Sequence, residues 1–284
     1  MSLSASSEVP APFESERAMT GALLAAGEAV ARRGANEPWI ALEQHQVHSR
    51  IADLVMARIN LDGLQQRLDG SWLRALNESE LRALRSLRPD RGTSLTTLAA
   101  RMRAPEDRAR RVVSRLVTDS FVDKTMTGSY ARVAPVRPIV DRVISFEAKR
   151  SDASGAFLQA RAHGLFADRC YVACDAAYAH RFDATRARYR AEGIGLVELS
   201  ASDDTFQVRW PAGRSPLWHV LGLALSAERT LARLLGVAAR PLPETRLPGA
   251  VVATDCREKP RLLGRLPNVT RHLLRGLGSP ALDY

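Results

Sequence analysis

The sequence predicts a mixed α/β fold: a sheet flanked by helices, interrupted by a second, mostly helical domain. Three observations lead there. Short apolar runs at 50–57, 143–149 and 169–174 have strand length and carry isolated charges. Helix-period segments alternate with them. The chain has 284 residues, 45% of them hydrophobic, enough for two domains with cores of their own.

Residues 16–33 read as a helix whose apolar stripe includes Met19, Leu23, Leu24 and Val30, with Gly34 as its stop. Residues 43–48 lead into the next strand, and His45 and His48 are expected there as polar surface residues. In the strand itself, Ile51, Asp53, Val55 and Ala57 share one face and Ala52, Leu54 and Met56 the other. A carboxylate inside such a strand is costly unless a cation or hydrogen-bond donors meet it.

Helices follow at 78–87, at 94–102 behind a Ser or Thr cap, and at 106–119 with Pro105 in its first turn. Val112, Val113, Leu116 and Val117 face inward on the third, and residues 121–133 form a hairpin turning at Gly128. In the strand 143–149, Ile144, Phe146 and Ala148 face one layer, while Ser145, Glu147 and Lys149 emerge on the other. A helix at 155–166 carries Gln159, and 169–174 is again a buried strand. Residues 183–192 read as a helix and 195–199 as a late strand closing the sheet. The Leu- and Ala-rich helix 215–235 offers a packing or homodimer surface. Residues 241–284 form a basic tail rich in Pro, Arg and Gly, with a short helix near 269–274.

Of 41 Lys plus Arg, only Lys124, Lys149 and Lys259 are lysine. Lys149 therefore stands out beside Glu147. A compact ammonium can sit next to a metal-bound water, whereas a guanidinium is a planar fork that stays charged. Two carboxylates and a lysine on strands suit metal-assisted attack on a phosphodiester. Ile51-Ala52-Asp53, Glu147-Ala148-Lys149 and Gln159, set in the order helix, strand, strand, helix, strand, resemble the PD-(D/E)xK superfamily, the restriction-endonuclease-like fold. Ala52 replaces the family's proline. Glu28 matches the helix glutamate of some branches. The resemblance implies a mixed sheet flanked by helices, Mg²⁺ (or Mn²⁺) held by Asp53 and Glu147, and catalysis by Asp53, Glu147, Lys149 and Gln159. Asp53 and Glu147 stand 94 residues apart, so a segment must be inserted between them. Asp141 is a rival first acid, but it lies too close to Glu147 for a hairpin.

The inserted segment, three helices and a hairpin over 75–134, resembles the winged helix-turn-helix. That implies a recognition helix presenting Arg108, Arg111, Ser114 and Arg115, with Lys124 and Arg132 on the wing. The expected partner is nucleic acid, as duplex DNA. The net charge of +10 favours the same class of partner. Cys170, Cys174 and Cys256 lack further Cys or His partners at zinc-site spacing and read as free thiols. No apolar run reaches membrane-span length and residues 1–7 are no signal peptide, so a cytoplasmic protein without membrane contact is expected.

The domains expected are a disordered N-terminus over 1–13, a discontinuous restriction-endonuclease-like domain over 14–62 and 136–212, the winged helix-turn-helix insertion over 63–135, and a C-terminal helix with basic tail over 213–284. The expected function is DNA binding with metal-dependent phosphodiester hydrolysis. The alternative is an inactive DNA-binding regulator or defence-system component that uses the nuclease fold as a scaffold.

Overall fold

The computed structural model describes residues 11–32, 38–47, 49–70, 72–202, 205–236 and 261–263. In chain order, a 3-10 turn over Arg17–Met19 leads into α1 (Thr20–Arg32), β1 (Trp39–Val47), β2 (Arg50–Ile59) and α2 (Leu61–Asp69). Next come α3 (Glu78–Ser86), α4 (Leu95–Met102), α5 (Glu106–Thr118), β3 (Val122–Lys124) and β4 (Tyr130–Arg132). The chain continues through β5 (Val140–Lys149), α6 (Ala153–His163), β6 (Arg169–Asp175), α7 (His180–Asp183) and α8 (Arg186–Ala191). It ends with β7 (Gly195–Leu199), β8 (Phe206–Trp210), α9 (Val220–Leu234) and β9 (Arg261–Leu263). Among the described residues no helix is long and apolar enough to cross a membrane.

Two compact units make up the chain. The first comprises 1–57, 142–218 and 255–265, and the second 58–141, 219–254 and 266–284. α9 belongs to the second unit and β9 to the first.

The first unit is a mixed sheet with strand order β8-β7-β6-β5-β2-β1-β9. β5, β6 and β7 run parallel, with α6 crossing between the first two, and β8 and β9 add antiparallel edges. Parallel neighbours need a crossover, which the helix supplies. The central strands are largely buried on both faces because both are covered. On one face Ile144, Phe146 and Ala148 pack with Leu54 and Met56 against Met19, Leu23 and Val30, as the alternation predicts. Gly27 lets α1 close on β2: a Cβ there would lie 2.7 Å from Leu54 Cδ2. The other face receives Ala156, Phe157, Ala160 and His163 of α6.

Several elements depart from the sequence reading. β1 is a full strand beginning at Trp39, and His45 on it is buried against Phe166 rather than lying on the surface. β7 is interior, and β8 closes the sheet instead. The helix expected over 183–192 is α8, shorter at its start, and the short α7 precedes it. Phe13 is packed in the core, and its N–H donates to Asp175 Oδ2 at 2.8 Å. Gly34, His48, Cys256 and the expected helix near 269–274 lie outside the described residues.

The second unit gathers α2, three short helices, a hairpin and α9. Asn77 and Glu80 form a reciprocal capping box on α3, and Ser94 caps α4. α5 buries Ala109, Val112, Val113 and Leu116. β3 and β4 pair antiparallel around Gly128 (φ 76°), and Thr93, between α3 and α4, bridges to Tyr130. α2 is an element the sequence reading did not anticipate. Its Arg67 is fully buried and forms an ion pair with Glu228 of α9 at 3.0 Å.

Candidate active site

Asp53 on β2 and the Glu147-Ala148-Lys149 segment on β5 belong to neighbouring strands. Asp53 Oδ2 accepts the Ala148 N–H at 2.8 Å, and its Oδ1 accepts from Gln44 Nε2 at 3.0 Å. Both carboxylate oxygens are thereby oriented. Gln44 has φ 49°, an unusual conformation for a non-glycine residue in a strand, and its amide is aimed onto Asp53.

Glu147 is almost completely buried. Its Oε1 meets Lys149 Nζ at 3.2 Å, while Oε2 has no hydrogen-bond partner among the described residues. Burial pushes the Glu147 carboxyl up to about 7, the charge of Asp53 pushes the same way, and Lys149 opposes both. Burial works against the Lys149 ammonium, but Glu147 and Glu16 outweigh it and hold the group above its ordinary value. Lys149 Nζ also meets Glu16 Oε2 at 3.2 Å.

His163 stands behind Glu147. Its Nε2 lies 3.7 Å from Glu147 Oε2 and 3.1 Å from the Ile51 carbonyl oxygen. Burial pushes the imidazole down to about 4, so it is neutral at pH 7. A carbonyl oxygen only accepts, so the Ile51 contact places the proton on Nε2. Nδ1 is then buried without a partner.

Asp53, Ala148, Gln44, Glu16, Arg17 and Thr20 line a cavity of about 480 Å³. Of the residues expected at the site, Asp53, Glu147 and Lys149 come together. Gln159 lies one turn before His163 on α6 but is exposed. Asp141 points elsewhere, to Arg58 at 2.7 Å. Glu28 pairs with Arg32 on α1, so Glu16 at the start of that helical segment is the glutamate that reaches the site.

Three members of the site were not anticipated from the sequence: Glu16, Gln44 and His163. Only His163 had a usable signal, since Ala156, Phe157, Ala160 and His163 follow one buried helical stripe. The oxygen donors of Asp53 and Glu147, one of them buried and unpartnered, suit a hard divalent cation. Among the described residues no group of three His, Cys, Asp or Glu side chains gathers as a metal cluster. Cys170 and Cys174 are buried free thiols, and burial pushes the Cys170 thiol up to about 12.

On the second unit, Arg111, Ser114 and Arg115 lie on the exposed face of α5, opposite its buried stripe. Arg111 is paired with Asp107 at 2.9 Å, whereas the Arg115 side chain has no partner among the described residues. Arg108 is half-buried and donates to Ser79 Oγ at 3.1 Å. Lys124 is exposed at the end of β3, and Arg132 on β4 is half-buried.

No family model matches the chain, and no curated protein or solved structure is significantly similar to it.

Proposed function

We propose that this chain is a metal-dependent nuclease of restriction-endonuclease-like fold that holds duplex DNA on a winged helix-turn-helix. One observation carries the reading: Asp53 is hydrogen-bonded to the backbone between Glu147 and Lys149, so a carboxylate from a distant segment is held beside the Glu147–Lys149 pair. The element order supports it: α1, β2 with Asp53, β5 with Glu147 and Lys149, α6 and parallel β6 keep the sequence of elements on which the family resemblance rests. α3, α4, α5 and the β3–β4 hairpin, tied to the α3–α4 connection at Thr93, support the winged-helix part.

Asp53 and Glu147 would hold Mg²⁺ or Mn²⁺. A bound ion supplies an activated water and neutralises the scissile phosphate. Gln44 and the Ala148 N–H fix the Asp53 carboxylate for that role. Lys149 keeps positive charge against Glu147 Oε1, where it can stabilise negative charge that develops on the phosphate. Neutral His163 stands behind Glu147 without adding a competing cation.

A second reading, a DNA-binding regulator or defence-system component with an inactive nuclease scaffold, draws on the Glu16–Lys149–Glu147 arrangement, which satisfies the ammonium as a structural ion pair. Incubation of purified protein with plasmid and single-stranded DNA, in Mg²⁺, Mn²⁺ or EDTA, separates the two. Cleavage in either metal and none in EDTA is expected from the nuclease. Intact substrate under all conditions supports the regulator.

A further inference from the structure

The register pairs Lys149 with Cys174 at the carboxyl ends of parallel β5 and β6. One residue further along β5 stands Arg150, and just beyond β6 stand Tyr178 and Arg181. The Arg150 guanidinium carbon lies 5.6 Å from the Tyr178 ring centroid and that of Arg181 lies 5.1 Å from it. Other arginines of the chain also sit over aromatic rings, among them Arg188 over Phe157 and Arg214 over Trp218. Among the described residues only Tyr178 carries two guanidiniums.

Cation–π attraction holds each guanidinium to the ring, but each exposed instance is worth only about 0.5–1 kcal/mol. It does nothing for the repulsion between two like charges. Acidic neutralisation is sparse. Arg181 is exposed and has no acidic partner among the described residues. Arg150 donates to the Glu14 carbonyl oxygen at 3.2 Å, and its Nε stands 3.9 Å from Asp175 Oδ2. That carboxylate is already engaged by the N–H groups of Phe13 and Ala177. The ring therefore spaces two positive forks near the carboxyl ends of β5 and β6, where Lys149 also stands. Planar guanidiniums match phosphate oxygens in a bidentate way.

We propose that Arg150, Tyr178 and Arg181 form a phosphate-binding subsite that grips the nucleic-acid backbone beside the bond to be cut. The inference rests on the nuclease reading and adds to it a second place, apart from α5, where the backbone is held. The subsite takes phosphodiesters by charge and shape and reads no base. Tyr178 is a positioning residue, since it sets the two guanidiniums and need not touch the strand.

The test is binding of a fluorescent duplex oligonucleotide in EDTA, followed by anisotropy over a range of salt concentrations. Arg181 is the residue to change, because it is exposed and lies outside the core. Arg181→Gln should weaken binding of every sequence alike and flatten the plot of log affinity against log salt by about one unit, one phosphate contact. Arg181→Lys, which keeps the charge, should retain most of the wild-type slope. Melting temperature should not move in either variant. A wild type that binds with a steep slope, together with an Arg181→Gln variant of the same slope and affinity, would overturn the subsite and leave the nuclease reading standing. Equal flattening of the salt slope in Arg181→Gln and Arg181→Lys would also overturn it, because the lost contact would not be one of charge with a phosphate. A wild type that binds no duplex would remove the nucleic-acid reading itself, and the subsite with it.

Discussion

The carboxylate of Asp53 accepts the backbone N–H of Ala148 at 2.8 Å across a sequence separation of 95 residues. This bond couples the first acid of the site to the segment that carries Glu147 and Lys149. It also sets the charge of Asp53 near Glu147, where it helps to raise the Glu147 carboxyl above its ordinary range. Asp53→Asn keeps an oxygen for Ala148 and removes the charge. We expect the pH midpoint of the Glu147-linked stability change to fall toward the ordinary carboxylate value. Melting curves of Asp53→Asn with and without Glu147→Gln, taken across pH, measure that midpoint.

Glu147 itself should make stability fall as pH rises. Its folded value of about 7 lies above the ordinary 4.5, so between those values the folded state holds the extra proton. The contribution is fully present below pH 4.5 and lost by the time pH passes about 7. In EDTA, Glu147→Gln should be more stable than wild type above pH 7, by on the order of 3 kcal/mol. The difference should vanish near pH 4.5. Thermal melts across this range check the sign.

The exposed face of α5 allows its arginines to be ranked. Arg111 shares its charge with Asp107, and Arg115 has no such partner among the described residues. Arg115→Ala should therefore weaken duplex binding and flatten its salt slope more than Arg111→Ala does, by about one phosphate contact. Equal affinity and slope for wild type and the double variant would mark this helix as a protein-contact surface.

The Arg67–Glu228 pair anchors α9 within the second unit. The guanidinium donates to both Glu228 oxygens, to the Trp72 carbonyl and to the Arg74 carbonyl. Burial pushes the Glu228 carboxyl up, with Arg67 opposing it. Glu228→Gln leaves a buried cation without its anion and should cost about 3–5 kcal/mol in chemical denaturation. The double change Arg67→Met with Glu228→Leu should recover much of that loss.

The parts of this fold that follow periodicity were legible in the sequence. The alternation of Ile144, Phe146 and Ala148 against Ser145, Glu147 and Lys149 located β5 and its two faces, because a half-charged strand between covered faces has few other solutions. The buried stripe of α5 was legible for the same reason. β1 was not: Glu43, Gln44 and Gln46 obscured the apolar run of Trp39 to Leu42, and tertiary cover rather than local pattern buries His45. Glu16 and Gln44 reach Lys149 and Asp53 through long-range contacts and a left-handed backbone turn, neither of which leaves a local pattern.

The proposed nuclease function rests on Glu147 and Lys149. The decisive measurement is cleavage of plasmid DNA in Mg²⁺ or Mn²⁺ by wild type, Glu147→Gln and Lys149→Ala, with duplex affinity measured in parallel. Glu147→Gln is nearly isosteric, so loss of cutting with retained fold and affinity reads as lost ligation and chemistry. We expect metal-dependent cleavage by wild type, none by either variant, and duplex affinities close to wild type in both. Folded wild-type protein that binds duplex yet leaves it intact in both metals, or variants that cut as well as wild type, would contradict the account.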